Sequence, residues 1–587
     1  MVKILKHLKW KEWLLTLVSL VFIGIQVWLD LKLPDYMSEI TGYVQTEGST
    51  MSQIWEAGAK MVLCAFGSLL AAFVVGYFAA RIAASFTARL RSMLFSKVET
   101  FSMAEINRFS TASLITRSTN DITQIQMIVT FGLQVLMKAP ILAVWAIVKI
   151  SGKSWQWTAT TAAAVALLLL FILIVGLIAL PKFRIIQSLT DNLNRVSREN
   201  LTGLRVVRAY NAEKYEEAKF DEANTSLTET HLFTTRIMAG LMPFMMLIMS
   251  GLSLAVYWIG AYLIDRADMM DKIGLFSDMV VFSSYAVQIV MAFVMMTVVF
   301  IMLPRAAVAA KRVNEVLDTE LSISDGTVND NGTAEKGTIE FRNVSFKYPD
   351  SGDYVLRNIS FTASKGETVA FIGATGSGKS TLINLIPRFY DATEGEVLVD
   401  GINVKEYVQK TLHNKLGYVP QRTFLFSGNI ASNIAYGCND NEHFSLETVK
   451  KAAAIAQGTE FIEKMDDQYD AHVAQGGSNF SGGQKQRLSI ARAIYRDPEI
   501  YLFDDSFSAL DYKTDRILRS VLKEETSEAT SLIVAQRIGT IMDADKIIVL
   551  DEGQMVGCGT HKELLKTCPV YQEIAYSQLS KEELEHA

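Results

Sequence analysis

The chain has 587 residues, 50% of them hydrophobic and 20% charged, which is too long for one compact domain at about 150 residues each and too apolar for a disordered or wholly water-solvated chain. Lys and Arg number 56 against 62 Asp and Glu, and the net charge of -6 gives no whole-chain reason to expect nucleic acid as a partner. Cys64, Cys438, Cys558 and Cys568 show no CxxC spacing and no neighbouring His pair, which argues against a disulfide scaffold and a structural zinc site.

Apolar residues crowd the segment before Pro304. Residues 14–29 form a first short apolar run, residues 61–80 a second without charge, and residues 127–150 a third that contains Lys138 and, near its end, Lys149. Residues 155–180, 237–264 and 279–303 contain no charged residue, and each exceeds the roughly 20 residues that cross about 30 Å of hydrocarbon. These runs predict six membrane spans. Lys3, Lys6, Lys9 and Lys11 precede the first span, Arg81, Arg89, Arg91, Lys97, Arg108 and Arg117 follow the second, and Lys182, Arg184, Arg195, Arg198, Arg205, Arg208, Lys214 and Lys219 follow the fourth. Positive charge resists translocation, so these segments and both termini are expected on the cytoplasmic side of the cell membrane. The two long cytoplasmic connections contain good helix formers, which predicts helices continuing beyond the bilayer. Lys138 is costly in hydrocarbon and is expected either to touch substrate or to satisfy a carbonyl beside Pro140. Methionines are dense in spans five and six, at Met238, Met242, Met245, Met246 and Met249 and at Met291, Met295, Met296 and Met302, where they suit either packing against lipid and protein or an adaptable apolar cavity.

The expected organisation is a membrane domain at 1–321, a turn-rich linker at 322–336 and a second domain at 337–587 with a helical C-terminal tail. From Thr338 onward, short β-branched and aromatic runs alternate with helical segments, the pattern of an α/β domain. The run ending at Ile372 leads into Gly373, Ala374, Thr375, Gly376, Ser377, Gly378, Lys379, Ser380 and Thr381, a GxxxxGK[ST] loop between strand and helix. Its backbone amides suit phosphate oxygens, Lys379 the outer phosphates and the Ser380 hydroxyl a Mg²⁺ ion. An apolar strand at 500–504 ends in two carboxylates, Asp504 and Asp505, as expected of a strand that delivers Mg²⁺ coordination.

About twenty residues before that strand stands Phe480-Ser481-Gly482-Gly483-Gln484. With it the sequence resembles the ATP-binding cassette (ABC) exporters of half-transporter type, in which a six-helix all-α membrane domain precedes one α/β P-loop cassette, and the resemblance covers essentially the whole chain. It implies ATP and Mg²⁺ as cofactors. Tyr348 in FKYPD matches the aromatic residue that stacks on adenine, and Gln421 in YVPQ matches the loop glutamine that completes the Mg²⁺ site with Ser380 and Asp504. Ser481, Gly482, Gly483 and Gln484 match the signature that binds the γ-phosphate of ATP held by the opposite subunit, and residues 508–511 match the loop between the two sites. Residues 109–121 and 207–213 look like the family's coupling helices.

Two positions depart from the family pattern. Where the family usually has a glutamate that orients the attacking water, this chain has Asp505, shorter by roughly 1.5 Å of bond length. The switch position, normally histidine, is Gln536 in IVAQR, which forms hydrogen bonds but carries no charge. With Lys379 and Gln421, these two define the expected catalytic set, and their joint change predicts a site that binds ATP and hydrolyses it slowly. The implied function is one half of a heterodimeric multidrug efflux pump for small apolar or amphiphilic compounds, with membrane lipid and a second half-transporter as partners. A regulatory ATP-binding subunit and a dedicated peptide or lipid flippase are the alternatives.

Overall fold

Backbone amides that leave water for hydrocarbon must be satisfied within their own segment, and the apolar runs fold accordingly as helices. The computed structural model describes residues 2–46, 48–151, 154–268, 271–329, 336–349, 351–437 and 445–579. Part of the expected linker, Cys438 and the end of the C-terminal tail lie outside them. The chain forms two compact units, one of Met1–Glu99 with Thr111–Thr319 and the other of Thr100–Ser110 with Glu320–Ala587.

In the first unit, Trp10–Gln45, Met51–Glu99, Thr111–Ser151, Trp155–Thr202, Glu213–Arg266 and Lys272–Leu317 are long and apolar enough to cross a bilayer, and each contains one expected span. They run from 36 to 54 residues, well beyond the roughly 20 a bilayer requires. All six contribute to one apolar core, which includes Ile23, Val75, Leu142, Trp157, Val256 and Tyr285. The Trp157 indole N–H donates to the Val256 carbonyl at 3.1 Å, so the largest buried ring leaves no polar atom unmatched.

Lys138 pairs not with a carbonyl beside Pro140 but with a carboxylate: its ammonium lies 3.0 Å from an oxygen of Asp30 on the first span. Ser68 of the second span donates to the other oxygen of that carboxylate. Eleven residues on, Lys149 pairs with Asp35 at 2.7 Å, and the Tyr285 hydroxyl of the sixth span lies 2.6 Å from Asp35. Charge in an apolar surround is held by opposite charge, and here it ties the first span to the third. A π-helical turn, Gly132–Leu136, immediately precedes this part of the third span.

The second unit is built on a six-stranded sheet. Across it lie, in order, Gln554–Gly559, Lys546–Asp551, Thr368–Gly373, Thr530–Val534, Ile500–Asp504 and Leu416–Val419, with only the first pair antiparallel. Side chains alternate along a strand, and both faces are covered. Tyr501 and Phe503 enter one core, while Ile500 and Leu502 enter the other. A smaller antiparallel sheet orders Leu356–Ala363, Ile339–Phe346, Glu394–Val399 and Ile402–Asn403.

The short helix Met103–Phe109 groups with this unit. Ser102 caps it, with the Ser102 hydroxyl accepting from the Ala104 amide, and Glu105 accepts from the amides of Ser102 at 2.7 Å and Ser322 at 3.0 Å. The segment 109–121 therefore divides: Phe109 ends this helix, while residues from Thr111 onward continue into the membrane unit.

Removing one member of an intramembrane ion pair strands the other. Lys138→Met is expected to lower the thermal midpoint of the detergent-purified chain by several degrees, and adding Asp30→Asn should restore most of the loss. Equal midpoints for all three forms would show that the pair contributes nothing.

Candidate functional site

Four adjacent parallel strands end at one edge of the large sheet, and each passes the chain to a residue expected in the site. Thr368–Gly373 opens into the glycine-rich loop, Ile500–Asp504 ends on Asp504, Thr530–Val534 is followed two residues later by Gln536, and Leu416–Val419 by Gln421. Loops at the carboxyl ends of such strands are where ligands bind in open α/β sheets.

The loop glycines are needed for geometry. Gly378 has φ +94°, and a Cβ there would lie 2.7 Å from the Leu356 side chain. At Gly373 a Cβ would lie 2.0 Å from the Leu550 carbonyl oxygen. Lys379 begins the helix Lys379–Leu385, and its ammonium folds over the loop to donate to the carbonyls of Gly373 at 2.9 Å and Ala374 at 2.8 Å. Burial holds its pKa below the usual lysine range, an effect partly offset by Asp505 and Asp504.

The Ser380 hydroxyl donates to Asp504 at 2.7 Å. Asp504 is 3% exposed, and its burial pushes its pKa upward, so a bound cation would relieve that charge. A hydroxyl, a carboxylate and the amide oxygen of Gln421 form a hard-oxygen donor set of the kind Mg²⁺ uses with phosphate oxygens, and these residues fit the ion.

Asp505 and Gln536, the two departures from the family pattern, touch. The Gln536 side-chain amide donates to Asp505 Oδ2 at 2.9 Å, and the Gln421 amide approaches the same oxygen at 3.3 Å. Asp505 has φ +49°, a left-handed conformation that aspartate tolerates better than most residues, and its amide donates to the Val534 carbonyl at 3.0 Å. Burial pushes its carboxyl pKa upward, against the hydrogen bond from Gln421.

Tyr348 stands outside the phosphate loop but bonds to it, its hydroxyl lying 2.9 Å from Thr381 Oγ1. Its ring meets Tyr390 edge-on with centroids 5.2 Å apart. Tyr390 was not foreseen; its hydroxyl accepts from Asn107 of the helix Met103–Phe109 at 3.0 Å. Tyr390 lies 42 residues from Tyr348, within no recognised motif, so only the fold brings the two rings together.

Ser481 caps the helix Gly482–Tyr495, with Ser481 and Gln484 forming a reciprocal capping box. At Gly482 a Cβ would meet only Ala509 Cβ at 3.8 Å, whereas at Gly483 it would lie 3.1 Å from the Ala509 carbonyl. The chain's own packing thus requires little of Gly482. In the membrane unit, Met245 is buried while Met242 and Met246 are exposed. An apolar cavity of about 300 Å³, lined by Ile147, Thr158, Thr161, Val165, Ile289 and Phe293 among others, includes no methionine. The methionines therefore do not gather around it.

Residues 356–508 match the model of the ABC transporter family, and residues 16–293 match that of the ABC transporter transmembrane region. An uncharacterized ABC transporter ATP-binding protein of Mycobacterium tuberculosis (strain H37Rv) is 42% identical over 477 residues, covering 79% of each chain. The uncharacterized ABC transporter ATP-binding protein YfiB of Bacillus subtilis is 36% identical over 533 residues, 91% of each chain. An ATP-dependent lipid A-core flippase of Pseudomonas aeruginosa is 32% identical over 460 residues, 77% of this chain and 73% of that one. The structure of a bacterial Atm1-family ABC exporter with ATP bound shares the fold, with a TM-score of 0.78 at 24% identity over 95% of this chain and 97% of that one.

An aromatic ring stacked on a base contributes ~1 to 3 kcal/mol, so Tyr348→Ala is expected to weaken ATP binding by about 5- to 150-fold while leaving the affinity for inorganic triphosphate nearly unchanged. Equilibrium binding of both ligands to the purified chain measures the difference, and equal losses would remove Tyr348 from the base site.

Proposed function

The chain belongs to the ABC transporter family as an exporter half-transporter, its membrane region fused ahead of one cassette, and on that premise we propose that it is the slow-site half of a heterodimeric exporter of apolar or amphiphilic compounds. A cassette of this family couples ATP hydrolysis to transport. What distinguishes this chain is the hydrogen bond from Gln536 to Asp505 at 2.9 Å, because it joins the two positions that would have to act on the attacking water and the γ-phosphate.

ATP is held by the backbone amides of residues 373–379, by Lys379 once its ammonium leaves the loop carbonyls for the outer phosphates, and by the ring of Tyr348 on the base. Ser380, Asp504 and Gln421 would hold Mg²⁺, which when bound would offset phosphate charge during phosphoryl transfer. Asp505 must accept a proton or hydrogen bond from the attacking water, but its reach is short and its Oδ2 already accepts from two amides. Gln536 offers the γ-phosphate a neutral donor where a histidine could bring charge. Positioning and charge stabilisation carry most of phosphoryl-transfer catalysis, so binding outlasts hydrolysis at this site.

The signature at Ser481 to Gln484 is intact and serves the partner's ATP. The unconstrained space at Gly482 supports that assignment, since its own fold tolerates a side chain there. The basic segments before the first span and after the second and fourth support a cytoplasmic location for both termini. Relatives named for lipid A-core flipping support an amphiphilic cargo.

The purified chain alone is expected to bind ATP with Mg²⁺ yet show very low steady-state ATPase activity; robust turnover that Lys379→Ala abolishes would overturn the slow-site assignment. With a partner present, Gly482→Val should leave the melting temperature nearly unchanged and remove most turnover. Asp505→Glu should raise single-turnover hydrolysis at this site modestly. Adding Gln536→His should raise it further, and non-additively, because both groups act on one transition state. Equal rates for the native pair and the Glu–His pair would show that these residues do not limit the reaction.

A further inference from the structure

The helix Pro569–Gln578 carries Tyr571 and Ala575, both fully buried in the cassette core. Gln578 follows at the next position of the same stripe, and its amide does not enter the core. Its Nε2 donates to the Gln536 carbonyl at 2.7 Å, and its Oε1 accepts from the Ile538 amide at 2.8 Å. One side chain thus spans the switch loop with two opposed hydrogen bonds. Ile538 begins the short helix Ile538–Ile541, and its N-cap Arg537 makes no side-chain capping bond. Gln578 supplies a partner to an amide that a helix start leaves without one. Arg537 meanwhile donates to the Ser508 carbonyl at 3.2 Å. Gln536 is thereby fixed at two ends, its main chain by Gln578 and its side chain on Asp505.

We propose that Gln578 is a positioning residue for Gln536, and that through it the C-terminal helix sets how fast this cassette's own ATP is hydrolysed. This inference rests on the slow-site function proposed above. It follows from geometry: a two-point clamp on the main chain either side of Arg537 restricts where the Gln536 amide can reach, and transition-state contacts are lost when a group drifts by about an ångström.

The test uses the full chain reconstituted in lipid vesicles together with its partner half-transporter, whose own site is disabled, with ATP and Mg²⁺. Gln578→Ala should slow single-turnover hydrolysis by about three- to tenfold while leaving ATP affinity within about twofold and the melting temperature nearly unchanged. Gln578→Glu keeps the acceptor for Ile538 and loses the donor, and its rate should fall between the two. Combined with Gln536→Ala, Gln578→Ala should add nothing, since it acts through that side chain. Hydrogen–deuterium exchange of the peptide covering residues 534–541 should quicken roughly tenfold in Gln578→Ala. Unchanged exchange and rate, or effects of Gln578→Ala and Gln536→Ala that multiply as independent ones, would overturn the proposal. Fast turnover by the unmodified chain would instead overturn the slow-site function, and the same variant cycle would still decide whether Gln578 acts through Gln536.

Discussion

A parallel sheet covered on both faces exposes its backbone loops only at the ends of its strands, and the chemistry of this cassette depends on that constraint. Ile500 to Phe503 alternate into two separate cores, leaving no side chain on the strand itself free for catalysis until Asp504. The glycine-rich loop, Gln421, the Asp504–Asp505 pair and Gln536 are neighbours in space because their four strands are neighbours in the sheet. The left-handed turn at Asp505 then directs its carboxylate toward the next strand's loop, where Gln536 meets it.

That meeting changes how the two substitutions should be regarded. Taken separately, a shortened carboxylate and an uncharged switch residue are two losses. In contact, they form one neutral-donor, anionic-acceptor unit whose preferred partners are each other. Burial pushes the Asp505 carboxyl pKa upward, and the Gln421 amide on the same oxygen works against that by favouring the ionised form. The hydrogen bond is therefore strongest in the state that would otherwise be free to engage water.

The parts legible in the amino-acid order were those with short-range signatures. Long apolar runs marked the spans, and the residues of the phosphate loop lie within nine consecutive positions. Lys138 could be identified as a charge in need of a partner, but Asp30 lies 108 positions away and sits near the end of a run that reads simply as apolar. Tyr390 and Gln578 carry no pattern of their own; each gains its place from a turn of chain that only tertiary packing brings near Tyr348 or Gln536. The helix Met103–Phe109 was obscured for a different reason. It is short and embedded between long membrane helices, and what assigns it to the cassette is a carboxylate, Glu105, reaching an amide at Ser322, 217 positions on.

Because Thr100–Ser110 belongs with the cassette while its flanks do not, the chain passes between the two units at three points rather than one. A domain hung on a single linker can swivel freely; one stitched at three places shares every displacement among three tethers. The three crossings fall at the end of the second membrane helix, at the start of the third and at the end of the sixth.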